Sequence, residues 1–303
     1  MSDISIQKFG DWQSNEMFLL RDDLLPVACG GNKVRIALKL LEDAMSRNVN
    51  TIVGYGNSRS NLCRVLAMLC AKENLRCVIV SPSDEDGIRY ETSNSRIVKE
   101  CGATIIPFDK HMAVSDILHA VFDKIVADGD RYYYIFGDEY GHGNEVVLRS
   151  AYENVAWNIL RWEQENVVFD RVVCAVGTGS TYAGLLEGFR KVNRDVKVTG
   201  FTIARNLECC IDAVGRFTDY ECDISDVALL GGYGHTSPEE LSFLQHVMRK
   251  GAVVFDPVYA GKALWGCSKL IDFRLIKNER ILFVHTGSLP LALDALNCAH
   301  CFV

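Results

Sequence analysis

The sequence is poor in proline and contains no long apolar run. Its six prolines are scattered over 303 residues, and no Pro- or Ser-rich linker separates one part from another, so the two halves are expected to pack closely. No apolar stretch approaches the roughly 20 residues that a bilayer-spanning helix needs. The opening MSDISIQKFGDW lacks both the basic flank and the apolar stretch of a secretory signal. Charge of one sign is also in short supply. The 32 basic side chains are outnumbered by 39 acidic ones, and a net charge of −7 argues against a broad nucleic-acid-binding surface. Together these absences predict a soluble, cytoplasmic-type chain with neither nucleic acid nor membrane as a partner. What is present suits a globular enzyme-sized protein. A hydrophobic fraction of 49% with 10% aromatics opposes disorder, and the length suggests two domains or one large α/β unit.

Cysteine is plentiful, but its placement is unremarkable. The twelve cysteines are dispersed, several of them inside apolar segments, and in a chain without a secretion signal they are expected to be reduced and to act as small hydrophobes. The single metal-like spacing, Cys298-Ala-His-Cys301, has no second cysteine pair to complete a site. The histidines form no HExxH or similar pattern. No metal is expected.

From about residue 34 the sequence alternates between helical and extended patterns. Val34, Ala37, Leu38, Leu41 and Met45 fall on one face of a helix. Short β-rich runs follow at 51–55, 76–81, 103–108 and 132–136, and a second series at 171–176, 196–204, 252–255 and 280–285. A longer helical pattern from about 145 to 164 separates the series, with Leu148, Ala151, Tyr152, Val155 and Ile159 facing one way. Short apolar strands alternating with helices describe mostly parallel sheet covered on both faces, an α/β fold. A ligand would be expected in a cleft between the halves.

Three glycine-rich segments carry the chemistry. Gly30-Gly31-Asn32-Lys33 directly precedes a helix. A lysine held there among Ala28, Cys29 and Val34 could be desolvated, which lowers an amine's pKa and makes it a nucleophile; the alternative is a solvated lysine in a first turn. Gly177-Thr178-Gly179-Ser180-Thr181 lies between a strand and a helix, where backbone N–H groups and the helix dipole form an anion cradle. Its spacing matches neither GxGxxG nor a P-loop, and an ordinary tight turn is the competing account. Gly54 to Asn61 is a second strand-to-helix turn, where Ser60 or Asn61 caps the helix or the amides hold a carboxylate. A lysine, a phosphate cradle without a nucleotide motif and a second amide-rich turn together suggest pyridoxal phosphate.

The motifs RDDLL (21–25), GGNKVR (30–35), Ser60-Asn61 with Arg64, GTGSTYAGL (177–185), GGYG (231–234), FDPVYAGKA (255–263) and FVHTG (283–287) occur in this order. The series resembles the D-cysteine desulfhydrase and 1-aminocyclopropane-1-carboxylate deaminase family of fold-type-II pyridoxal-phosphate enzymes, over about residues 18 to 295. The resemblance implies two open, twisted, mostly parallel sheets covered by helices. It implies a large cofactor-binding domain of residues 1–39 with 146–303, a small domain of 40–145, and a homodimer. It implies that Lys33 carries the cofactor and moves the α-proton, and that Asn61 meets the cofactor's phenolic oxygen. Gly177, Thr178, Gly179, Ser180 and Thr181 would hold the phosphate. Ser60 would orient the substrate carboxylate or relay a proton, Tyr233 and Tyr259 would line the substrate side of the ring, and Thr286 would face the pyridine nitrogen.

The sequence departs from the family pattern in ways that bear on the reaction. Cyclopropane-ring opening is associated with a glutamate after the tyrosine of the VYxGK motif, where this chain has Ala260. Thr286 matches the desulfhydrase branch. Where the family usually reads GGxQSNH the chain has GNSRSNL, so Arg59 and Leu62 stand beside the substrate turn. Arg59 could meet a second anionic group or serve as a structural ion pair, and Leu62 is expected to pack inward. The expected activity is β-elimination from a small β-substituted amino acid, giving pyruvate, ammonia and the leaving group, with D-cysteine as the first substrate to test. β-Replacement is the nearest rival, ring-opening deamination is third, and a non-catalytic binding protein is the alternative from another class.

Overall fold

The computed structural model describes residues 4–83 and 90–297. In chain order the elements begin with β1 (Ile6–Trp12), β2 (Asn15–Arg21) and α1 (Asn32–Ser46). Strands and helices then alternate: β3 (Thr51–Tyr55), α2 (Asn61–Lys72), β4 (Arg76–Pro82), α3 (Ser93–Glu100), β5 (Thr104–Phe108), α4 (Val114–Ala127) and β6 (Tyr132–Tyr134). After α5 (Glu145–Glu163) come β7 (Arg171–Val176), α6 (Ser180–Lys191), β8 (Lys197–Thr202), α7 (Leu207–Gly215) and β9 (Asp223–Ser225). The last elements are α8 (Pro238–Gly251), α9 (Ala260–Asp272), β10 (Arg280–His285) and α10 (Leu289–Asn297). The chain divides into two compact units, one of residues 33–148 and the other of the residues up to Asn32 with those from Arg149 onward. No helix among the described residues is long and apolar enough to cross a membrane.

The smaller unit is built on a four-stranded parallel sheet in the order β5-β4-β3-β6. Its central strands are apolar on both faces, with Ile52, Val53, Val78, Ile79 and Val80 all buried, as a doubly covered parallel sheet requires. Helices α2 and α4 contribute Val65, Leu66, Leu69, Leu118, Val121 and Ile125 to its core. In α1 the buried stripe is rotated from the expected one. Ile36, Leu40 and Ala44 are buried along with Val34, Ala37 and Leu41, while Leu38 is partly buried and Met45 is 55% exposed. At about 100° per residue the centre of burial lies toward Leu40 and Ala44, which leaves Leu38 and Met45 on its margin.

The larger unit carries a six-stranded sheet in the order β1-β2-β10-β7-β8-β9, parallel except for the antiparallel β1–β2 hairpin at its edge. On one face Met17, Val173, Phe201 and Phe283 pack with Leu244, Leu264, Cys267 and Ile271 from α8 and α9. The extended run expected at 252–255 is not a strand. Helix α8 ends through Ala252 in a left-handed conformation (φ 52°), and the chain is then held by side-chain rather than ladder bonds. The Val254 carbonyl is 2.9 Å from His285 Nε2, and Phe255 stacks on the His285 ring at 4.1 Å.

Candidate functional site

In the larger unit, the expected phosphate loop, 177–181, and Thr286 lie at the ends of the neighbouring strands β7 and β10. β7 runs through Val176 into Gly177–Gly179, and Gly179 is the N-cap of α6 with φ +102° and no side-chain capping bond. A Cβ there would lie 3.0 Å from Val214 Cγ2, so only glycine suits both the conformation and the space. The first N–H groups of a helix have no intrahelical acceptor, and here no side chain takes the capping role. That leaves donors and the positive end of the dipole for an anion. Arg205, just beyond β8, donates to the Gly177 carbonyl and places a guanidinium at the loop. The Tyr259 ring lies beside Gly177, with Cε1 3.8 Å from the position a Cβ would take.

Asn32 ties the start of α1 to this cradle. Its Nδ2 donates to Thr181 Oγ1 at 3.0 Å, and its backbone N–H donates to the Thr286 carbonyl at 3.1 Å. The approach is close enough to require glycine on both sides: a Cβ on Gly287 would lie 2.6 Å from Gly31 Cα. The preceding turn is fixed by the Asp22 carbonyl, which accepts from Gly31 N–H at 2.7 Å. The Asp22 carboxylate accepts from Tyr152, and Arg21 clasps Asp23 at 2.7 and 2.9 Å. Lys33 is the next residue after Asn32. Its side chain is partly buried, and desolvation lowers its pKa to about 8. At that value about a tenth of the amine is neutral at pH 7, against fewer than one in a thousand for an ordinary lysine.

The Tyr233 and Tyr259 hydroxyls are 2.9 Å apart, with ring centroids at 5.9 Å in an edge-on arrangement. Both rings pack on Val258 and Leu291. Thr286 follows β10 and is buried. Before it, His285 donates from Nε2 to Val254 O and accepts at Nδ1 from Gly287 N–H at 3.2 Å. Burial lowers its pKa, consistent with this neutral tautomer.

In the smaller unit, Arg59, Ser60, Asn61 and Leu62 lie at the β3-to-α2 turn. Ser60 is the N-cap of α2, accepting from Cys63 N–H at 3.2 Å. Asn61 and Leu62 are buried in the first turn, and the Arg59 guanidinium lies over the Tyr90 ring at 5.2 Å. The N-terminus of α3 staples this turn in place. Thr92 Oγ1 donates to Ser58 O, and the buried Asn94 donates from Nδ2 to Arg59 O (3.0 Å) and Asn61 Oδ1 (2.9 Å). With its Oδ1 occupied in this way, Asn61 presents Nδ2 as a donor. Asn32, Asn94 and Arg205 were not foreseen as site residues. Asn94 lies in the first turn of α3, behind the capping box that Thr92 and Ser95 form. Among the described residues no group of His, Cys, Asp or Glu side chains is placed to hold a metal; Cys298 and Cys301 lie outside the described residues.

Residues 5–287 match the family model for pyridoxal-phosphate dependent enzymes. The chain belongs to this family. It has the family's α/β architecture of two mostly parallel sheets flanked by helices, and its cofactor is pyridoxal phosphate. The fold is similar to that of an ACC deaminase homologue, at 24% identity over 95% of this chain and 90% of that one, with a TM-score of 0.81. A hydrogen sulfide-producing enzyme from Fusobacterium nucleatum aligns at 18% identity over 94% and 95% of the two chains, TM-score 0.69. O-ureido-L-serine synthase aligns at 15% identity over 94% and 88%, TM-score 0.68. The residues present fit the cofactor. The uncapped glycine turn of α6 suits its phosphate, and the desolvated Lys33 amine suits attachment to its aldehyde.

Proposed function

We propose that the chain is a pyridoxal-phosphate-dependent lyase that eliminates the β-substituent from a small amino acid, in the manner of a D-cysteine desulfhydrase, yielding pyruvate, ammonia and the leaving group. The observation that carries this reading is the setting of Lys33. Its amine has a pKa lowered to about 8, and it stands one residue beyond Asn32, whose side chain is bonded to the phosphate cradle at Thr181. When bound, the cofactor supplies an electron sink for negative charge at the substrate Cα.

The chain's own residues then divide the remaining work. Neutral Lys33 accepts the α-proton. Gly177, Thr178, Gly179, Ser180 and Thr181 hold the phosphate through backbone N–H groups and hydroxyls, and Asn61 donates from Nδ2 to the phenolic oxygen. The Ser60 hydroxyl, held at the helix start by Cys63 N–H, orients the substrate carboxylate beside Arg59 and Leu62. The paired hydroxyls of Tyr233 and Tyr259 provide a proton at the departing β-substituent. Thr286 offers the ring nitrogen a neutral hydroxyl, which keeps the sink weak and favours prompt loss of the β-group. The position of Ala260 weighs against ring opening. It is fully buried at the start of α9, and its N–H is bonded to Asp256 at 3.0 Å. A glutamate there would sit as a second carboxylate beside a buried one.

The decisive measurement is the visible absorbance of the purified protein and its Lys33→Ala variant, with and without D-cysteine. A cofactor band in the parent, absent from the variant, together with pyruvate release on adding D-cysteine, is the expected result. A band without pyruvate across a panel of D- and L-β-substituted alanines overturns the elimination reading. The same panel with added thiol separates elimination from β-replacement by its products.

A further inference from the structure

The larger unit contains a buried charged cluster that takes no part in the chemistry just described. Lys262, the third residue of α9, is fully buried. Its Nζ donates to the Gly232 carbonyl at 3.0 Å and reaches the Leu229 carbonyl at 3.4 Å. Glu240, the third residue of α8, is also fully buried, and neither of its carboxylate oxygens has a hydrogen-bond partner. Asp256 is 1% exposed and caps the start of α9, accepting from the N–H groups of Val258 (2.9 Å), Tyr259 (2.6 Å) and Ala260 (3.0 Å). Burial pushes both carboxyls up and the amine down, while the opposite charges of Glu240 and Asp256 act to hold Lys262 protonated.

A buried lysine and carboxylate replaced by apolar groups of similar volume are often no less stable, so such a cluster is weak evidence for a purely stabilising role. What the cluster contacts is more specific. Lys262 grips the loop that ends in Tyr233, and Asp256 grips the backbone N–H of Tyr259. The loop is a turn in which Leu230, Gly231, Gly232 and Gly234 all have positive φ, and Lys262 adds a charged donor to the Leu229 carbonyl, which already accepts from Gly232 N–H at 2.9 Å. The hydroxyls of the two tyrosines meet at 2.9 Å.

We propose that Lys262 is a positioning residue that clamps the Leu229 and Gly232 carbonyls so that the Tyr233 hydroxyl is held against that of Tyr259, with Glu240 as its buried counter-charge. The clamp rests on the proposed function only in taking the tyrosine pair to face the substrate. The Lys262 amine is fully buried on the Leu229 and Gly232 carbonyls, so its effect passes through Tyr233.

The test uses the cofactor-loaded protein in four variants: Lys262→Met, the pair Lys262→Met with Glu240→Leu, Tyr233→Phe alone, and Tyr233→Phe combined with that pair. Lys262→Met alone leaves Glu240 uncompensated and is expected to lower Tm. The paired variant removes both charges and is expected to recover Tm and retain the cofactor band. In the paired variant, amide hydrogen exchange over residues 229–234 is expected to quicken by about tenfold, and kcat to fall by about tenfold, because the proton donor at the leaving group is misplaced. Adding Tyr233→Phe to it should lower kcat no further, because the hydroxyl is already misplaced. Unchanged exchange in a paired variant that is folded overturns the clamp, as does a further independent fall in kcat from Tyr233→Phe. If the parent itself turns nothing over, the functional reading falls while the exchange measurement still decides the clamp.

Discussion

Lys33 is the side chain on which burial acts most directly. A lysine whose folded pKa of about 8 lies below its ordinary 10.5 opposes folding while it is charged. That opposition is fully present below pH 8 and is relieved as the pH rises toward 10.5. The same shift sets reactivity. The rate at which the cofactor-free protein captures pyridoxal phosphate should climb with pH and level off above about 8, whereas a solvated amine would keep gaining past 10. A stopped-flow absorbance profile between pH 6 and pH 10.5 checks this. Asn94 is the complementary case, since it is assigned no chemistry and orients Asn61, the residue proposed to meet the cofactor. Asn94→Ala removes the donor to both Arg59 O and Asn61 Oδ1 and should cost roughly 1–3 kcal/mol in denaturant unfolding. It should also weaken cofactor affinity several-fold, as read by titration of the absorbance band. Lys33 could be singled out as a candidate because it opens a helix just after Gly30 and Gly31, though its role was implied only by the resemblance. Asn94 could not, because its partner is 33 positions away and its local context is fully explained by a helix cap.

The turns are where composition and conformation agree best. The glycine turn before α6 and the Ser60 cap of α2 were both readable, because strand, small residues and helix follow one another without interruption. Gly179→Ala forces a side chain into φ +102° and to within 3.0 Å of Val214. It should lower stability by more than about 1 kcal/mol. It should also abolish the protection that inorganic phosphate otherwise gives against thermal unfolding, measured by Tm with and without phosphate. Ser60→Gly is the milder change. It removes the cap oxygen with only a few tenths of a kcal/mol in stability but should reduce turnover at least tenfold, so stability and kinetics separate at one residue. The elements that escaped the sequence reading did so for local reasons. β1 carries Gly10 and a register shift between Lys8 and Gly10, which breaks strict alternation, and β9 is only three residues long. The run at 252–255 looked like a strand, but its polar partner is the His285 side chain rather than a neighbouring backbone.

For the whole molecule, the alternation of short apolar runs and helices was enough to announce parallel sheet, because a strand covered on both faces must be apolar throughout; that there are two sheets was implied only by the family resemblance. The strand order was not recoverable, since β2 lies between β1 and β10 and nothing local marks that partner. Cofactor binding couples to the stability of the entire chain. At about 100 times its dissociation constant a ligand adds roughly 2.7 kcal/mol, so the loaded protein should melt several degrees above the stripped one, and Lys33→Ala should lose most of that difference in differential scanning calorimetry.

The pairing of β2 with β10 also dictates a schedule. Glu16 and Arg280 are register partners although 264 positions separate them along the chain. At roughly 5–20 residues per second, a ribosome takes on the order of 13 to 50 s to travel from one to the other. During that interval the β1–β2 hairpin has one edge without its partner, while residues 33–148 emerge with their own four strands and can form a sheet first. The vulnerable moment in the biogenesis of this protein is therefore a waiting period, in which an unpaired strand edge near the start of the chain is open to association with another nascent copy.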